Sequence, residues 1–157
     1  MANIFKLSTE DKEYFIQALH SIFNLDRNYP DDEREFIYQL KVLMGLRDFR
    51  PYTLDDEEKD LAKIIESIKN KDLVYYLFLI AKEAEKKQTD KALYKLKIRN
   101  VIKRLNTELQ QTAETIFENK DLINSFEDLA QKVKGMIEEK SKKVKNLFGK
   151  SFHKDEK

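Results

Sequence analysis

The chain has no cysteine, only three glycines, two prolines and two histidines among 157 residues. Without cysteine there is no disulfide and no thiolate-bound metal, which fits a reducing compartment. Scarce glycine and proline leave too little turn chemistry for a sheet protein, and imply short connections between long helices. No apolar run approaches the roughly 20 residues that span a bilayer. Met1–Leu7 shows no positive region followed by an apolar stretch, so the sequence shows no signal peptide and a cytoplasmic location is expected. The histidines, His20 and His153, stand far apart. No Ser-His-Asp set, paired-histidine metal motif or glycine-rich phosphate loop is visible. No enzymatic chemistry is expected.

What is present is charge and helical periodicity. Hydrophobic residues make up 41% and charged residues 38%, a mix too apolar for a disordered chain. The net charge of +1 hides a gradient. Residues 1–72 hold 11 Lys/Arg against 16 Asp/Glu, and residues 131–157 hold 9 Lys against 4 Asp/Glu. The head is acidic and the tail basic, so the two could attract each other or sort different partners.

Ser8-Thr-Glu-Asp11 is a helix-capping signal, followed by Tyr14, Phe15, Ala18, Leu19, Ile22 and Phe23 at spacings of three and four. Asp26–Pro30 reads as a loop, and Asp31, Asp32 and Glu33 suit the positive end of the next helix. That helix carries Phe36, Ile37, Leu40, Leu43 and Met44, and Gly45 stops it. Thr53-Leu-Asp-Asp56 reads as a second cap, before Leu61, Ile64, Ile65 and Ile68. Leu73–Ala84 is apolar all round and is expected to be the central buried helix. Thr89-Asp90 begins another helix, whose stripe from Leu93 to Phe117 predicts one long element. A second long stripe, Leu122 to Leu147, contains Gly135.

The first hairpin and the segment from Tyr75 to Leu105 share a pattern. A shift of 59 places Asp26 on Glu85 and Asp31 on Asp90. Ala18–Asp26, Asp31–Ile37 and Leu43-Met44-Gly45-Leu46 resemble the tellurite-resistance TerB-like family over residues 8–118. Asp26 and Glu33 stand at that family's aspartate and glutamate, and Met44-Gly45-Leu46 at its closing motif. Arg27 replaces the family's glycine. In the second copy Glu85, Lys86 and Ala92 replace aspartate, glycine and glutamate. The resemblance implies an all-helical, cytoplasmic, stress-associated or scaffolding protein with an acidic metal site. The departures weaken a site built from both loops.

Read by itself, Asp26 onward fails as an EF-hand: Pro30 takes the fifth position, Asp31 the glycine position and Ile37 the twelfth. A looser Ca²⁺ or Mg²⁺ site can still be drawn from Asp26, Asp31, Glu33, Glu85 and Asp90. Acids at helix starts explain the same residues without metal. Asp55–Glu58 with Asp60 forms the densest acidic cluster, able to take a basic partner if the loops converge. In the tail, lysines flank a stripe ending in Phe148. Lys140, Lys143, Val144, Leu147 and Phe148 form a candidate surface for a protein groove or an anionic membrane. The absence of arginine there argues against nucleic acid.

The expectation is therefore an all-α chain: a single bundle of six to seven helices, the last two long, with the bundle over residues 1–118, a basic amphipathic helix over 119–150 packing on or extending from it, and a frayed tail at 151–157. It is expected to be a non-enzymatic interaction or scaffold protein. A divalent-metal-binding protein and a membrane-surface protein are the alternatives.

Overall fold

The computed structural model describes residues 7–26 and 31–119, with residues 32 and 33 described by their backbone only. Within them lie six α-helices and no strand: α1 Thr9–Phe23, α2 Asp31–Leu43, α3 Glu57–Ser67, α4 Lys71–Ala84, α5 Lys91–Lys103 and α6 Thr107–Glu118. A single 3-10 turn, Glu85–Lys87, joins α4 to α5. No helix among the described residues is long and apolar enough to cross a membrane. The expected helix over residues 119–150, with Lys140, Lys143, Val144, Leu147 and Phe148, lies outside the described residues apart from Asn119, as does the tail at 151–157.

The helix starts follow local chemistry. Ser8 Oγ accepts from the Asp11 amide at 2.9 Å. Asn70 and Asp90 accept from the Leu73 and Leu93 amides at 3.1 and 3.0 Å. Each satisfies one of the four amides that a helix start leaves without a partner. At the end of α2, Gly45 has φ of 75°, the left-handed region that suits glycine. There Gly45 N–H donates to the Val42 carbonyl at 3.1 Å and Leu46 N–H to the Lys41 carbonyl at 2.7 Å, the paired bonds of a Schellman stop.

Two expectations fail on cap chemistry. Thr53 caps nothing: α3 starts at Glu57, and the Asp56 amide is satisfied by Asp60 Oδ2 at 3.1 Å. Nor is Leu93–Phe117 one helix. The chain breaks at Arg104–Asn106, where Asn106 Oδ1 accepts from Leu109 N–H at 3.0 Å and restarts it as α6. The apolar stripe passes through the break because both helices bury against the same core.

One continuous core runs from Leu7 to Ile116. Its middle is shared by α1 and α4, not held by α4 alone. Phe15, Ile16, Ala18, Leu19 and Phe23 have no exposed surface, since α1 packs against α2, α3 and α4. A helix buried on that many sides cannot show a single stripe. On α4, Tyr75 is exposed and meets Tyr76 edge to face at 5.9 Å, so α4 is not buried all round. Beyond this pair, α4 packs on α6, and α5 packs on both α3 and α6.

Candidate functional site between the fifth and sixth helices

The acids singled out in the sequence do different jobs. Asp26 is 7% exposed, and its Oδ2 accepts from the Thr89 and Asp90 amides at 2.7 and 3.0 Å. It thus holds the start of α5 from the far end of α1. Asp90 caps its own helix. Glu85 is partly exposed and pairs with Lys95 at 3.2 Å, so the two residues matched by the 59-residue shift differ in burial and in partner. Asp31 is exposed at the start of α2, and the side chain of Glu33 is outside the described set. Among the described residues no three His, Asp or Glu side chains gather as a metal would need.

The acidic cluster at the start of α3 is divided in the same way. Glu57 pairs with Lys97 at 2.8 Å and Glu58 accepts from Asn100 Nδ2 at 2.9 Å, both on α5. Asp60 closes its own helix start.

Two buried polar residues have tasks that the sequence did not disclose, Asp11 having been read only as part of a capping signal. Asp11, 4% exposed, accepts from Lys69 N–H on Oδ1 at 2.9 Å and from Asn70 N–H on Oδ2 at 3.0 Å. Gln17 donates to the Tyr52 carbonyl and accepts from the Tyr52 amide, both at 2.9 Å. It pins the long α2–α3 connector as a neighbouring strand would. Nothing local marks these tasks, because the partners lie 35 to 59 positions away.

The break at Arg104–Asn106 creates the surface that the sequence did not disclose. Folded back against each other, α5 and α6 leave an open groove of about 440 Å³. Its floor is Ile98, Ile102 and Phe117, laid over Tyr94. Tyr94 is fully buried and its hydroxyl donates to the Ala81 carbonyl at 2.5 Å, which fixes α5 to α4. One edge carries Lys95, Arg99 and Lys103, all exposed, with Glu85 beside them and paired to Lys95 at 3.2 Å. Residues four apart share a helix face, so these three cations stand in line. The other edge carries Glu114 and Glu118 of α6. Apolar below and cationic along one side, the groove suits an amphipathic helix with acidic residues beside its apolar stripe.

His20, half-buried on α1, has its pKa lowered, first by burial and then by the nearby charges of Arg34 and Lys41. It stays neutral at pH 7. No family model, curated protein or solved structure matches the chain.

Proposed function

We propose that this chain is a non-enzymatic interaction protein: a single helical bundle that receives an amphipathic helix in the α5–α6 groove. The observation that carries the reading is the groove itself, with Ile98, Ile102 and Phe117 as its floor and, along one edge, Arg99 and Lys103 beside the Lys95–Glu85 pair. The commitments of three buried polar residues support the non-enzymatic part. Asp11, Gln17 and Asp26 spend their hydrogen bonds on backbone groups of other segments, which orders the fold and leaves those atoms engaged. The TerB-like resemblance over residues 8–118 adds a cytoplasmic, stress-associated setting to the proposal.

The test uses two labelled helical peptides with the same leucine stripe, one flanked by glutamate and one by lysine, titrated by fluorescence anisotropy. The acidic peptide is expected to bind with a Kd on the order of 10–100 µM. Binding should weaken as salt rises, because exposed charges are screened. Arg99→Glu with Lys103→Glu should reverse the preference, at exposed positions that leave the core untouched. Equal binding of both peptides to the unaltered chain, or a preference that survives the double charge reversal, sinks the proposal.

A further inference from the structure

We infer that the groove is one half of a two-fold contact, and that its occupant is a second copy of this chain laid over it in the opposite direction. The inference rests on reading the groove as a helix-docking surface and names the helices that dock there, α5 and α6 of the other copy.

The order of charge along the groove comes first. Three residues separate α5 from α6, and the two helices pack on each other. They therefore run antiparallel, and the groove between them has a joined end and an open end. Lys103 is the last residue of α5 and Arg99 lies one turn before it, so both stand toward the joined end. Glu118 is the last residue of α6 and Glu114 lies one turn before it, so both stand toward the open end. From Thr107 to Glu118 the helix rises about 16.5 Å, and Lys103 and Glu118 are apart by roughly that length. All four side chains are exposed, and none is in an ion pair among the described residues. The other two charges of the lining, Lys95 and Glu85, neutralise each other at 3.2 Å. The groove is thus neutral in sum and polarised along its length, with two cations at one end and two acids at the other.

Such a pattern selects no partner of a single charge sign. It fits its own reverse. A two-fold axis across the middle of the groove lays the joined end of each copy over the open end of the other. Arg99 and Lys103 of one copy then meet Glu114 and Glu118 of the second, and the same pairing recurs in the other sense. Both pairs are spaced by four residues, about 6 Å along a helix, so the pitch matches. Laid in the same direction, the copies would set cation on cation and acid on acid. Charge therefore fixes the direction of docking as well as the partner.

Apolar surface lies where this contact would cover it. Ile98, Ile102 and Phe117 form the floor. Leu96, 51% exposed, stands on α5 three residues before Arg99, on the same face of the helix. Exposed ion pairs alone contribute little, so the removal of this surface from water supplies the attraction and the charges supply the register.

Sedimentation equilibrium of the full chain is read beside the titration with the glutamate-flanked peptide. The chain should pass from monomer to dimer with a Kd on the order of 100 µM. Arg99→Glu with Lys103→Glu makes both ends of the groove acidic, and Glu114→Lys with Glu118→Lys makes both ends basic. Each of these chains alone should dimerise about tenfold more weakly or worse. Mixed in equal amounts, the two should form a heterodimer at least as readily as the unaltered chain forms its dimer. A chain with all four substitutions should dimerise again, because its two ends have exchanged sign. If the unaltered chain stays monomeric up to about tenfold above that Kd while the peptide binds, the inference is wrong and the groove reading stands. A dimer that the charge reversals leave unchanged, or variants that fail to pair on mixing, also overturn the inference, because the contact then lies on another face. If neither dimer nor peptide binding is seen, the groove reading itself fails.

Discussion

Asp11 and Asp26 are both buried aspartates that take two backbone amides, yet replacement by asparagine should separate them. Asp11 uses both oxygens, one for the Lys69 amide and one for the Asn70 amide. An asparagine there has one carbonyl oxygen and one NH₂ group. One amide must lose its acceptor and meet another donor. A buried donor left without a partner costs about 1–3 kcal/mol. The surviving bond also loses its charge assistance, about 1 kcal/mol more. The sum for Asp11→Asn is about 2–4 kcal/mol. Asp26 receives both amides on Oδ2, so a carbonyl oxygen in that place keeps both bonds. At these two bonds Asp26→Asn then loses charge assistance alone, about 1–2 kcal/mol. The assay is urea unfolding followed by circular dichroism at 222 nm on the full chain, with the slope checked for constancy. Asp11→Asn should lower the unfolding free energy, read from the shift of the urea midpoint, by about 2–4 kcal/mol and Asp26→Asn by about half of that. Equal losses, or a larger loss at Asp26, would refute the assignment of bonds to particular oxygens.

Gln17→Leu keeps the volume but leaves both backbone groups of Tyr52 without partners, at a cost of about 2–4 kcal/mol; hydrogen exchange at the Tyr52 amide should rise with it, and an unchanged amide would show that the connector is held otherwise. Asn106→Ala removes the cap of α6 and should cost about 1 kcal/mol, read by the same urea unfolding. Because the His20 pKa lies below its ordinary 6.5 in the fold, the unfolded chain binds that proton more readily. His20 therefore makes stability fall as pH drops below about 6.5, a loss complete once pH passes below the lowered folded value. His20→Gln should flatten that part of the pH–stability curve, and an unchanged slope counts against it. Millimolar Ca²⁺ or Mg²⁺ should leave the melting temperature where it is, since Asp26, Glu85 and Asp90 are engaged with separate partners; a rise would indicate binding to the native state.

The parts legible in the sequence were those written in local chemistry. Ser8 and Asp90 sit three residues before the amides they receive, and Gly45 ends α2 through bonds within six residues. Asn106 carried the same signal but was hidden by an unbroken apolar stripe, and the groove was hidden with it. Lys95, Arg99 and Lys103 were visible as a spacing of four, but their meaning depends on α6 folding back beside them. The tasks of Asp11 and Asp26 could not be read at all. An acid near a helix end looks the same whether it faces water or binds an amide 58 or 63 positions away.

Those separations bear on how the protein is made. At a synthesis rate of about 5–20 residues per second, some 60 residues take roughly 3–12 s. Through that interval α1 has been synthesised while the amides that Asp11 and Asp26 will hold have not. Five of its residues end with no exposed surface, and for those seconds they lack part of their cover. Nascent chains stalled before and after residue 90 should therefore differ in their capture by chaperones, with α1 the segment that is released last.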